Sequence, residues 1–344
     1  MSKLENPHQA IHTIIRSPFN KILPTCVFYE ESLDLVFGAY ENDLIMIFEG
    51  KTGEKKATLR GHHSKVTSMV VAMKKDSGLL LISASEDLKK KGDTAPLLWD
   101  VKVEGKGPKR SVDGRLIKKL TSHTLGVSCL ESQVVYLGGS VKKELNVVIS
   151  ASFDGTINVF TFEEGKEGEC VLHFSNLKGS NDGISSIALD QEKDSLDDLL
   201  VCASYNGSVT IYNLTQMITT PHRAFGREKT GVECVKFDGE RMLVYTGETS
   251  GCVCIWDVND KNSCTAKVLP KEHDGLVTRL AQTEFKIATG GQDGKILVFD
   301  KVEGTIIADM DQKHTACVSR LDFIESHLLV SASEDGSVKM HILQ

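Results

Sequence analysis

A chain of 344 residues, 40% hydrophobic and 25% charged, carries enough apolar material for a sizeable core, which excludes disorder of the whole. Its formal net charge of -7 is mild for that length and excludes a global field drawing the molecule onto nucleic acid or an anionic membrane. No segment approaches the ~18 uninterrupted apolar residues of a membrane span, and the opening MSKLENPHQA has no apolar run behind it, so no membrane insertion is expected and a soluble, non-secreted protein is. Nine cysteines is an odd number. Most sit in apolar alternating runs, as Cys202 does in LLVCAS, which fits reduced thiols better than a disulfide framework.

In chain order, seven stretches share one form: VFGAYENDLIMIFE, LISASED with LLWD after an interruption, ISASFDGTINVF, CASYNGSVTIYN, TGETSGCVCIWD, TGGQDGKILVFD and SASEDGSVKMHI. Their common turn position falls at Asn42, Asp87, Asp154, Asn206, Ser250, Asp293 and Asp335, with spacings of 45, 67, 52, 44, 43 and 42. That is a period of about 40 to 45 residues with two insertions, placed at about 88–97 and 102–114. Each copy has two apolar or alternating runs around a short polar turn, the pattern of a β-hairpin. A third run lies upstream of most hairpins (VTSMVV, VSCLES, ISSIAL, VECVKF, VTRLAQ, VSRLDF). A fourth lies downstream of several: KATLRG, LIKKL, CVLHF, AKVLP and TIIADM. Four short antiparallel strands per unit make a propeller blade.

These residues resemble the WD-repeat β-propeller family over nearly the whole chain from about residue 10. The second unit holds the family's full fingerprint: Gly61-His62, Ser83, Asp87 and Trp99-Asp100. The resemblance implies an all-β fold, one domain over residues 1–344, built as a seven-bladed β-propeller of four-stranded antiparallel blades. It also implies closure of the last blade by an N-terminal strand, for which AIHTIIRS (Ala10 to Ser17) has the alternation. In the family the fingerprint side chains form a hydrogen-bonded relay from Trp through Ser to His and Asp. The third unit offers His123, Ser150 and Asp154 with Phe160 in the Trp place, and the sixth His273, Thr289 and Asp293 with Phe299. The seventh offers His314, Ser331 and Asp335 with His341, and the fifth keeps Trp256-Asp257 without the His and Asp. Units one and four match least, with Tyr212 standing for Trp in unit four.

In this family the turns between second and third strands select partners. Just before the turn position stand Glu41, Glu86, Phe153, Tyr205, Thr249, Gln292 and Glu334. Phe153 and Tyr205 belong to adjacent units, so the pair is a candidate anchor for a partner's side chain; the bland alternative is an aromatic lying against its own turn. Lys89, Lys90 and Lys91 in the first insertion are either a solvated loop or a contact for an acidic or phosphate-bearing partner, nucleic acid included. Between Lys102 and Lys119 stand seven Lys or Arg against Glu104 and Asp113, a stretch expected to open onto the opposite face before becoming the fourth strand. The acidic runs at 163–169 and 190–198 read as solvated surface.

Arg279 and Arg320 take equivalent places in the first strands of units six and seven, near the family's central channel. Either acidic neighbours satisfy them or they mark an anion site. Cys252 and Cys254 lack a second cysteine pair or a nearby His, so no metal is expected. There is no Gly-x-Ser-x-Gly elbow, no His-Glu-x-x-His and no phosphate loop. The reading is a non-catalytic, cofactor-free interaction scaffold that binds other proteins within a larger complex, in the cytoplasm with the nucleus as the open alternative, and without direct nucleic-acid binding. The alternatives are a small-molecule binder or enzyme using the channel, and a nucleic-acid-associated subunit.

Overall fold

The structure, a computed structural model, describes residues 24–87, 92–105, 109–121, 123–137, 143–163, 165–175, 183–189, 198–227, 229–260, 267–310 and 314–343. They form seven sheets in which strands follow chain order. Blade one holds β1 (Pro24–Glu30), β2 (Leu35–Tyr40), β3 (Ile45–Glu49) and β4 (Lys55–Leu59). Blade two holds β5 (Val66–Lys75), β6 (Gly78–Ser85), β7 (Leu97–Glu104) and β8 (Ser111–Lys119). Blade three holds β9 (Val127–Leu137), β10 (Lys143–Ser152), β11 (Ile157–Phe162) and β12 (Glu169–Phe174), and blade four β13 (Ile184–Leu189), β14 (Leu199–Ser204), β15 (Ser208–Asn213) and β16 (Arg223–Gly226). Blade five holds β17 (Val232–Asp238), β18 (Leu243–Glu248), β19 (Val253–Asp257) and β20 (Lys267–Val268). Blade six holds β21 (Val277–Gln282), β22 (Lys286–Gly291), β23 (Ile296–Asp300) and β24 (Ile306–Asp309). Blade seven has three strands among the described residues, β25 (Val318–Glu325), β26 (Leu328–Ser333) and β27 (Val338–Ile342). The fold is a seven-bladed β-propeller. The strand expected at Ala10 to Ser17 lies outside the described residues.

The middle strands show why the hairpin runs are apolar on both faces. All eight residues of β6 are buried, because each face of a blade packs on a neighbouring blade. Cores therefore lie between blades. Phe37 and Leu59 of blade one meet Val66, Met69 and Trp99 of blade two, and Ile82 and Leu98 of blade two meet Leu130 and Phe160 of blade three. Ile149 and Val159 meet Ile187 and Tyr212 between blades three and four. By contact the chain divides into two compact units, one of Thr25–Val232 with Phe237–Met242 and the other chiefly of Leu243–Gln344. Within the second, Tyr245 and Val253 pack with Leu280 and Phe299, and Ala288 and Val298 with Leu321 and Leu329. First strands are also stapled by side chains. Thr67 Oγ1 donates to Val127 O at 2.7 Å in the next blade, and Thr278 Oγ1 donates to Val318 O at 2.7 Å.

Two features go beyond the runs legible in the sequence. Blade four has a fourth strand, β16, in a stretch (TTPHRAFG) without apolar alternation. The 102–114 insertion is largely strand: β7 and β8 stay paired from Leu97↔Lys119 out to Glu104↔Ser111, so the added residues lengthen a hairpin. Arg110, at the tip, fastens that hairpin to blade one. Its guanidinium reaches Glu49 through Nε at 3.0 Å and Nη2 at 2.9 Å, and donates to the Leu33 and Asp34 carbonyls.

Candidate functional site

The second-to-third-strand turns show how the relay and the exposed positions arise together. In blade three, Ser152 N donates to Thr156 O and Gly155 N to Ser152 O, both at 3.1 Å, and Gly155 sits at φ 78. This is a three-residue hairpin loop ending in a left-handed glycine. Asp154 accepts Thr156 N through Oδ1 at 2.9 Å and reaches across to Thr124 N through Oδ2 at 2.6 Å. The residue before it, Phe153, is half-buried.

In blade two, Trp99 Nε1 donates to Ser83 Oγ at 2.8 Å, and Ser83 Oγ lies 2.7 Å from His62 Nε2. The carboxylate on His62 Nδ1 is Asp93, at 3.0 Å, and not Asp87. Asp93 also accepts His63 N at 2.9 Å and Ser85 Oγ at 2.6 Å. The insertion follows Asp87 directly, so the relay place is taken six residues later, by Asp93. Asp87 instead accepts the amides of Gly92 and Asp93, both at 2.9 Å, which ties down the base of the insertion. Burial alone would raise the Asp93 carboxyl, but the bonds from His62, Ser85 and the His63 amide outweigh it and hold it at about 2.

The other blades vary the theme. His273 joins Thr289 at 2.7 Å and Asp293 at 3.1 Å. His314 joins Ser331 at 2.7 Å and Asp335 at 3.0 Å, and Ser331 Oγ also meets His341 Nε2 at 2.9 Å. In blade three His123 meets Ser150 at 2.6 Å, but its Nδ1 bonds Thr156 at 2.7 Å and stands 3.8 Å from Asp154. Asn158, fully buried, adds an amide at 3.0 Å from His123 Nε2, where Phe160 has no donor to offer. Blade five keeps Trp256 Nε1 to Thr246 at 3.0 Å. Relay carboxylates are held low: burial is outweighed at Asp154 by the nearby His123 ring, the Thr156 hydroxyl and the Thr124 and Thr156 amides, and at Asp335, which lies at about 2, by Ser337 and the Thr315 amide.

A Ser, His and Asp in hydrogen-bonded series is also the arrangement of a hydrolytic triad. Here Ser83 has no exposed surface, and its oxygen is already bonded to an indole and an imidazole, so a substrate carbonyl has no approach. The relay ties strands together.

Phe153 and Tyr205 are brought together. Their rings stack with centroids 6.1 Å apart and planes within 9°, Phe153 half-buried and Tyr205 40% exposed. Gly183 permits this, since a Cβ there would come within 2.6 Å of Phe153 Cα as the chain enters blade four. Tyr205 N donates to Gly183 O at 3.3 Å, so turn and entering segment share one surface. Arg279 and Arg320 keep equivalent places, opposite Gly290 and Ala332. Arg279 Nε donates to Ser319 O at 2.7 Å and Nη1 to Thr278 O at 2.6 Å, with Glu233 close enough to feel its charge. Two nitrogens of the Arg279 guanidinium are thus bonded to carbonyls of its own fold. Lys89, Lys90 and Lys91 lie outside the described residues. Among the described residues no cluster of His, Cys, Asp and Glu could hold a metal ion, and Cys254 donates to Glu248 at 3.2 Å. No helix among them is long and apolar enough to cross a membrane.

The model of the WD domain, G-beta repeat, matches residues 219–257, which run from the end of blade four through Trp256-Asp257. Among curated relatives, cilia- and flagella-associated protein 52 of Bos taurus is 24% identical over 200 residues, 56% of this chain and 29% of that protein. The ribosome biogenesis protein WDR12 homolog of Aedes aegypti is 20% identical over 206 residues, 58% of this chain and 40% of that protein. Periodic tryptophan protein 2 of Arabidopsis thaliana is 21% identical over 299 residues, 87% of this chain and 29% of that protein. The chain thus spans well under half the length of these relatives.

Proposed function

We propose, for a chain that belongs to the WD-repeat β-propeller family, that it is a non-catalytic scaffold which binds peptide segments or domains of other proteins and takes its place in a larger complex. The observation that carries this reading is the stacked Phe153–Tyr205 pair, held on two rigid turns at a surface where a partner side chain can lie against it. Aromatic anchors on rigid elements bind at low entropic cost, and here Phe153 sits on a blade tied by a buried relay and Tyr205 on one held by core packing. The names of the relatives fit work in assemblies, one in cilia and flagella and one in ribosome biogenesis, and a soluble compartment, cytoplasm or nucleus, follows from that reading. Fold alone does not fix function, so the proposal stands on the site. Size fractionation of a native extract tests it. The chain, 37.7 kDa by itself, is expected well above that mass, and elution of the whole pool at 37.7 kDa contradicts the proposal.

A further inference from the structure

Among the described residues β8 is the longest fourth strand of any blade. It has nine residues, against five in β4, six in β12, four in β16 and β24, and two in β20. It ends its sheet, and no described strand pairs with its open side. Long open edges are ordinarily shortened or covered, because their free N–H and C=O groups template another strand. Here the insertion has built one.

The side chains sort by face. Val112 and Leu116 pack into the core with blade one, and a Cβ on Gly114 would run into Leu59. Ser111, Asp113 and Arg115 alternate with them, exposed. A register shift at Leu98/Trp99 then leaves Ile117 bulged and 52% exposed, while Lys118 turns to the Glu167 and Gly168 carbonyls of blade three at 3.3 and 3.1 Å. The unbroken edge is therefore Ser111 to Leu116. Around it the exposed basic side chains outnumber the exposed acids, Glu104 and Asp113, in a chain whose net charge is -7. Lys102, Lys109, Arg115 and Lys119 are exposed and make no ion pair with a described residue.

We infer that the open edge of β8 takes an acidic, extended segment of a partner protein as a fifth strand of blade two. Main-chain pairing supplies the affinity and the lysines and arginine select for acidic side chains. This surface is separate from the aromatic pair, and the inference does not depend on it.

The test uses a dye-labelled peptide of alternating Glu and Val, followed by fluorescence anisotropy. Two further versions carry N-methyl groups on the odd or on the even residues, and another has Lys for Glu. Strand addition predicts that the Glu peptide binds, that one N-methyl pattern abolishes binding while the other is tolerated, and that the Lys peptide fails. Arg115→Glu with Lys119→Glu should weaken binding roughly tenfold, and Phe153→Ala with Tyr205→Ala should leave it unchanged. Absence of binding by the Glu peptide, equal binding of both N-methylated forms, or concentration-dependent dimerisation that competes with the peptide each overturns the inference. So does displacement by a single-stranded RNA when both N-methyl patterns are tolerated, which would mark a general polyanion surface.

Discussion

At the scale of single residues, the relay is a network whose members lose most when one is removed and its partners stay buried. His62→Ala strands the Ser83 hydroxyl and the Asp93 carboxylate, and is expected to cost about 1 to 3 kcal/mol. Denaturant unfolding of double-mutant cycles distinguishes the two aspartates. His62→Ala combined with Asp93→Ala should be strongly non-additive, and more so than His62→Ala with Asp87→Ala, because Asp93 bonds the imidazole directly whereas Asp87 holds the amides of Gly92 and Asp93. The displaced aspartate was not legible in the sequence, where SASED meets the family pattern and only three-dimensional return of the chain brings Asp93 back to His62. Asn158 escaped for a similar reason, as the pattern assigns no role to its position. Blade seven adds a pH dependence. Burial, with His314 and Lys339 near it, holds His341 at about 4, below the 6.5 of an exposed ring. The folded state therefore resists the proton, and the stabilisation is complete above pH 6.5 and lost as pH falls through about 4. A drop from 6.5 to about 4 corresponds to about 3 kcal/mol. His341→Phe, a side chain blades three and six already carry at that place, should remove that much of the pH dependence of unfolding across the interval; an unchanged slope would show that other groups produce it.

At the scale of elements, strand runs and turns were legible because hairpin geometry and two-sided burial write themselves into local sequence. Contacts made across long separations did not. Arg110 and Glu49 lie far apart in the chain, yet both side chains are almost wholly buried, at 12% and 9% exposed, and they meet through two nitrogens and two oxygens. Removing Arg110 leaves the buried Glu49 carboxylate with Lys56 Nζ at 3.6 Å but without its fork, so Arg110→Ala should lower stability by about 2 kcal/mol, and Arg110→Lys should restore little of it. Thermal unfolding of both variants checks this. Recovery by Lys would mean the contact is simple charge attraction. The weak sequence signal of blade four has a physical counterpart too: Cys202 and Tyr212 stand where other blades have a hydroxyl and an indole, and the Tyr212 ring packs on Phe174 at 4.7 Å. There packing takes over from the relay.

At the scale of the molecule, seven registered copies made the fold legible, since a period repeated that often leaves few alternatives. The aromatic pair was legible only as two letters in adjacent units, and it took the turn geometry to stack them. The measurement that bears most directly on a scaffold with its site at the aromatic pair is affinity purification from native cells of the parent and of the Phe153→Ala, Tyr205→Ala double variant, with quantitative mass spectrometry and thermal unfolding of each. The account predicts a stoichiometric partner set lost from the variant while the unfolding temperature stays close to that of the parent. The same partners recovered in the same amounts with both proteins would contradict it.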